Sequence, residues 1–107
     1  MAESDSILHV DIKPDGRRPT LVVSGEIDLV SSARLLTAID EALGDGATSL
    51  EFDFSHVSFM DSTGLGILAN ASDRTMATGG SVSVRGASPT IVRLLEVSRL
   101  DSVIDVA

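Results

Sequence analysis

Residues 53–68 carry the sequence DFSHVSFMDSTGLGIL, which begins in one hydrophobic periodicity and ends in another. Residues 48–54, which overlap the start of this stretch, alternate between polar and apolar side chains, a pattern typical of a β-strand. A connector is predicted over residues 55–60, and a helix over residues 62–77. The predicted inward side chains of this helix are Leu65, Leu68, Ala69, Ser72 and Met76. The stretch therefore predicts a strand followed by a helix that packs on it.

The same two patterns alternate along the rest of the chain. The other predicted strands cover residues 7–13, 20–25, 81–85 and 103–106, and the other helices cover residues 33–43 and a segment that begins at Ser88-Pro89. Pro14-Asp15-Gly16 predicts a turn between the first two strands, and Ser31 or Ser32 is expected to cap the first helix. The order β-β-α-β-α-β-α-β predicts a single α/β domain over residues 1–107. We expect a mixed, mostly parallel sheet of about five strands, with helices packed on it.

Composition excludes several classes of protein. The chain has 107 residues, 43% of them hydrophobic but only 3% aromatic, so its core must be mainly aliphatic. Few aromatic rings and a net charge of −8 disfavour binding to nucleic acid. Cysteine is absent, which excludes disulfides and thiolate metal sites. The first residues do not resemble a signal peptide, and no apolar run approaches the ~20 residues of a membrane helix. These features predict a cytoplasmic protein that does not enter a membrane.

The first candidate site is the run DSTGLG, residues 61–66. Gly64 and Gly66 each lower helix stability by about 1 kcal/mol relative to Ala, and close approach of another backbone or of a partner would explain them. Ser62 lies in the first helical turn, where free amide groups and the helix dipole favour an added phosphate. The alternative is an ordinary helix cap at Asp61-Ser62-Thr63, with glycine allowing tight packing on the sheet. The residues alone leave both interpretations open.

The second candidate site is the run GEID, residues 25–28, directly after the second strand. Glu26 and Asp28 flank one apolar residue and are interpreted as an acidic rim for a basic partner. These two carboxylates do not indicate a metal site, because no further acids cluster with them and His9 and His56 fit no ligand spacing. Neither a serine-hydrolase elbow nor a phosphate-binding loop is present. We therefore expect no catalytic residue, no metal and no cofactor in this chain.

The two runs together resemble the signatures of a known family. VSGEID, residues 23–28, followed by an amphipathic helix, resembles the first signature of STAS domains, and residues 53–68 resemble the second. Gly79-Gly80 and Ser88-Pro89 also fit that family. Within it, the chain is similar to the bacterial anti-sigma factor antagonists, also called anti-anti-sigma factors, over nearly its whole length.

This resemblance implies a regulator of transcription that switches partners. The unmodified antagonist binds an anti-sigma factor that is also an ATP-dependent serine kinase, and a sigma factor is released. The kinase phosphorylates the serine after the aspartate of the second signature, here Ser62, and binding is lost. A metal-dependent serine phosphatase then resets the antagonist. The implied partner-binding residues are Glu26, Asp28, Asp61, Ser62, Thr63, Gly64, Leu65 and Gly66.

The sequence departs from the family pattern in two places. Thr63 stands where many relatives have Ser and is a second candidate hydroxyl, ranked behind Ser62. The longer C-terminal helix of the family is short or missing.

Two other functions compete with that of an antagonist. A STAS module of another assembly, such as a lipid-transport complex or a stress-signalling scaffold, would share the fold. A small enzyme with Ser62 as nucleophile would lack an evident base. We expect a monomer or a weak dimer.

Overall fold

Strands and helices alternate along the chain in the predicted order. The computed structural model describes residues 8–107. The strands are β1 (His9–Lys13), β2 (Thr20–Ile27), β3 (Leu50–Met60), β4 (Val82–Arg85) and β5 (Ile104–Val106). The helices are α1 (Ser32–Gly44), α2 (Ser62–Met76) and α3 (Pro89–Val97), and a short 3₁₀ helix, Leu100–Ser102, precedes β5. Residue 7, the expected start of the first strand, lies outside the described residues.

The sheet has the strand order β1-β2-β3-β4-β5. β1 pairs with β2 antiparallel, and every other neighbouring pair is parallel, which confirms the predicted mixed, mostly parallel sheet. Each parallel pair is joined through one helix. Because such crossovers are right-handed and the sheet grows in one direction, α1, α2 and α3 lie on the same face.

The core lies between the three helices and that face of the sheet. Its largest fully buried side chains are Leu8, Leu21, Ile27, Leu35, Ile39, Leu50, Phe52, Phe54, Leu68, Ile91, Leu95 and Ile104. All but two of these are aliphatic, as the composition requires. The two rings, Phe52 and Phe54, pack against each other with their centroids 5.8 Å apart.

The inward faces of α1 and α2 differ from the predicted ones at a few positions, among them Ala69, which is only partly buried, while Ala71 is fully buried. The three- and four-residue spacing of apolar residues in the first helix also predicted that Leu36 lies inward, but Leu36 is 38% exposed. Met76 of α2, likewise predicted to lie inward, is 54% exposed. In α2 the position is taken by Thr75, which is fully buried. At about 100° of rotation per residue, seven residues return Thr75 to the direction of Leu68, and the eighth turns Met76 away. The Thr75 hydroxyl donates to main-chain oxygens of α2, so its burial leaves no unpaired group.

β3 is longer than predicted, and the expected connector over residues 55–60 is wrong. These residues continue the strand to Met60 and stay paired with β2, so that Met60 lies opposite Ile27. The register shifts twice along this pair, the second time between Gly25 and Glu26. Gly25 has a φ of 110°, which favours glycine. These irregularities space the buried residues of β3 three apart, at Phe54, Val57 and Met60, and thereby hide the alternation of a strand.

The opposite face of the sheet carries polar side chains that pair across the strands. Arg85 of β4 lies 3.5 Å from Glu51 and 3.6 Å from Asp53 of β3. The Ser55 hydroxyl donates to Asp53 over 2.6 Å and lowers the pKa of that carboxyl, with help from the Ser55 amide and Arg85. This face is therefore half-solvated and held by charge, whereas the other is packed by apolar contact.

Candidate functional site

The carboxyl ends of β2 and β3 bring the two candidate runs together. Ile27 and Met60 are paired at the end of the two strands, and the amide of Asp61 donates to the Ile27 carbonyl over 3.1 Å. Because β3 runs to Met60, α2 begins directly at the sheet edge. The segments GEID and DSTGLG, far apart in sequence, thus form one surface.

Asp61 is the residue that caps α2. Its backbone is extended, and its carboxylate accepts a hydrogen bond from the Thr63 amide over 2.9 Å. The Asp61 carbonyl accepts from the Gly64 amide over 3.1 Å. Asp61 therefore caps the amides of Thr63 and Gly64 without any side chain from within the helix. It leaves the exposed Ser62, the first helical residue, free of a structural task at the helix start.

The two glycines of α2 have different surroundings. Gly64 is buried, and a Cβ atom there would lie 2.5 Å from Met60 Cγ and 2.9 Å from Ile27 Cγ2. Gly66 is exposed, and a Cβ atom there would meet no described atom within 4 Å beyond the helix backbone. Close approach within the domain therefore explains Gly64 and does not explain Gly66. Leu65, between them, is half-buried against the core.

Asp28 is held in a tight turn between β2 and α1. Its carboxylate accepts from the Ser31 amide over 2.9 Å, and its own amide donates to the Ser31 hydroxyl over 3.0 Å. The Ser31 hydroxyl donates to the Glu26 carbonyl over 2.6 Å. The Ser31 amide first, and then its hydroxyl, hold the pKa of Asp28 below its usual value of 3.8. Asp28 is therefore a carboxylate at neutral pH, as an acidic rim requires.

The expected side-chain cap of α1 is wrong for both serines. Ser31 occupies the cap position but makes no capping hydrogen bond from its side chain. Its hydroxyl is instead used inside the turn, on Glu26 and Asp28. The Ser32 hydroxyl donates to the carbonyl of Leu29 over 3.1 Å, which also fastens the turn.

Three exposed apolar side chains border this surface and were not among the predicted site residues. Leu29 is 77% exposed and Val30 is 90% exposed, both in the turn that Asp28 begins. Phe59, 47% exposed, lies opposite Glu26 near the end of β3. The signal in the sequence is the pair Leu29-Val30, two apolar residues that belong to neither the strand nor the helix periodicity.

Residues 8–107 carry neither a metal-binding cluster nor a membrane-spanning helix. In this range no group of three or more His, Cys, Asp or Glu side chains is arranged to hold a metal ion. Over the same residues, no helix combines the length and the apolar character needed to cross a bilayer. His9 and His56, on different strands, are both exposed.

Comparison with known proteins identifies the class of this fold and site. The family model described as "Mlab, STAS domain" matches residues 10–105. The chain belongs to the STAS domain family.

Several of the similar proteins are anti-sigma factor antagonists. The chain is 30% identical over 100 residues to the anti-sigma-B factor antagonist of Bacillus subtilis, covering 94% of this chain and 91% of that one. It superposes on the unphosphorylated form of the anti-sigma factor antagonist SpoIIAA with a TM-score of 0.79 and 25% identity, over 92% of this chain and 88% of the other. The phosphorylated form of SpoIIAA from Bacillus gives a TM-score of 0.73 at 25% identity, over 92% and 91%.

Proposed function

We propose that the chain is an anti-sigma factor antagonist whose binding to an anti-sigma factor is abolished by phosphorylation of Ser62. The observation that carries this proposal is the position of Ser62, exposed on the first turn of α2, where both signature runs meet. The similar chains with an antagonist role, and a structure of one in a phosphorylated form, support the same assignment.

The domain is able to accept a phosphate on Ser62 without refolding. The first turn of a helix presents free amide groups and the positive end of the dipole, both of which favour an anion. Asp61 supplies the cap through Thr63, so modification of Ser62 leaves that hydrogen bond in place. The modification thus acts on whatever docks at this surface, and the fold remains the same.

The added charge opposes docking because the surface is already acidic. Phosphorylation adds about −1.5 to −2 charges beside Asp61, on the edge that also carries Glu26 and Asp28. A partner shaped for the neutral hydroxyl would have to desolvate this charge without pairing it, which costs several kcal/mol. A cost of about 4 kcal/mol corresponds to a thousandfold loss of affinity.

In this scheme Ser62 is a substrate residue for another protein and the chain is not itself an enzyme. The kinase is the anti-sigma factor, and a separate metal-dependent phosphatase removes the phosphate. ATP and metal ions then belong to these partners. Thr63 is the weaker phosphorylation candidate, because it is half-buried whereas Ser62 is exposed.

The test uses the purified anti-sigma factor with serine kinase activity from the same organism. Incubation with ATP and the kinase should place phosphate on Ser62, as mapped by mass spectrometry. Ser62→Ala should bind the anti-sigma factor even with ATP present, and Ser62→Asp should bind at least a hundredfold more weakly than wild type by calorimetry. The matched control is Ser102→Asp, which adds a charge to an exposed serine just before β5 and should bind normally. Absence of phosphate from Ser62, or equal affinity of the Ala and Asp variants, contradicts the proposal.

A further inference from the structure

The turn between β2 and α1 displays apolar surface that the core does not use. Val30 and Leu29 are the two most exposed large apolar side chains in residues 8–107. They are adjacent in sequence and lie between an acidic residue, Asp28, and the start of α1. An exposed pair of this size has no role in holding the domain together.

Hydrogen bonds constrain the backbone of the turn that carries this pair. Ser31 links back to both Asp28 and the Glu26 carbonyl, and the Ser32 amide donates to the Asp28 carbonyl over 2.9 Å. The Ser32 hydroxyl fixes the carbonyl of Leu29 itself. A turn whose backbone is constrained in this way loses less conformational freedom on binding, which lowers the ordering cost of the contact.

The pair is continuous with the surface around Ser62. Asp28 follows Ile27, and the Ile27 carbonyl is the acceptor for the amide of Asp61, directly before Ser62. Phe59 adds exposed apolar area on the adjoining strand. Carboxylates of Glu26, Asp28 and Asp61 surround this area, so a complementary partner presents an apolar depression bordered by basic side chains.

We propose that Leu29 and Val30 form an apolar anchor, which inserts into such a depression on the anti-sigma factor. This inference rests on the proposed function and adds a second element to it. The contact at Ser62 responds to phosphorylation, whereas the anchor contributes the same affinity in both states. The anchor also selects the partner, since an anti-sigma factor without a matching depression gains nothing from it.

The experiment compares isosteric polar replacements in the full chain. Leu29→Asn with Val30→Thr keeps the approximate shape of the anchor and replaces three of its four methyl groups by polar atoms. From the transfer energies of two such side chains we expect about a hundredfold weaker binding to the anti-sigma factor used above, by calorimetry. The control is Val97→Thr, a similar change at a side chain 73% exposed at the end of α3, which should bind like wild type. Both variants should have the same midpoint of urea unfolding as the wild type.

A double-mutant cycle with Ser62→Asp tests the independence of the two elements. The anchor replacements should weaken binding by the same factor in the wild-type and the Ser62→Asp backgrounds. Wild-type affinity in the anchor variant overturns this inference and leaves the proposed function intact. A factor that vanishes in the Ser62→Asp background also overturns it. Failure of the wild-type chain to bind the anti-sigma factor overturns the proposed function, and the anchor with it.

Discussion

Gly64 and Gly66 lie two residues apart on α2, and only the first is required by the domain. Gly64 faces β2 and β3, where any side chain would overlap Met60 and Ile27. Gly66 faces outward, one turn after Ser62, where a side chain would meet nothing in the described structure. The inner glycine brings the helix close to the sheet and so fixes the position of the serine. The outer glycine lowers helix stability and allows no close contact within the domain that would offset this loss. Such a glycine is expected where a partner approaches the helix closely.

Among the substitutions that test this contrast, replacement of the inner glycine, Gly64, should cause the largest loss of stability. Gly64→Val places three carbon atoms where even the first is too close to Met60 and Ile27, so these buried side chains or the helix itself must shift. We expect a loss of about 3 kcal/mol in the free energy of unfolding, measured in urea. The matched control is Gly66→Val, which should change stability by less than about 0.5 kcal/mol. Similar losses in the two variants would remove the distinction between the two faces.

A smaller effect is expected at the cap that starts the helix. Asp61→Ala removes the acceptor for the Thr63 amide and should cost about 1 kcal/mol of stability, by the same urea titration. Asp61→Asn retains an acceptor and removes the charge, so it should keep most of the stability. Equal losses for Ala and Asn would show that charge, and not the hydrogen bond, holds the start of α2.

The smallest effect on stability, and the one of opposite sign, is expected at the outer glycine. Gly66→Ala should stabilise the domain by up to about 1 kcal/mol, because alanine is the better helix former. The same methyl group should weaken binding to the anti-sigma factor about tenfold, corresponding to 1.4 kcal/mol. The two measurements are thermal unfolding and calorimetry on one preparation. If binding is unchanged while stability rises, Gly66 does not contact the partner.

The order of elements was predictable because most strands and helices carry a clean periodicity. β3 was the exception. Its two register shifts against β2 moved the buried positions from every second to every third residue, and Gly25, which carries a positive φ, marks one of them. A pairing irregularity arises from two strands at once, so neither strand shows it alone in its sequence. The end of β3 was therefore interpreted as a connector, although it is the part that places Ser62.

The residue patterns alone predicted the candidate site as two separate runs, and only the resemblance to STAS antagonists placed them in one partner-binding surface. Gly-Glu-Ile-Asp and Asp-Ser-Thr-Gly were both identified, but the hydrogen bond that joins them runs between main-chain atoms of Ile27 and Asp61, which no side-chain pattern encodes. Ser31 was expected to cap α1 because capping is the common task of a serine before a helix. Its actual contacts depend on the path of the chain after β2. The exposure of Leu29 and Val30 depends on the same path.

The two outer strands of the sheet bear on how the protein behaves when it is concentrated. An unpaired strand is a template for joining another sheet, and long apolar edges lead to aggregation. β5 has only three residues, and its middle one is Asp105. β1 exposes His9, Asp11 and Lys13 at alternate positions, so a copy that approaches must desolvate charge. Within the described residues, both edges of the sheet thus oppose indiscriminate strand-to-strand association between copies of the chain.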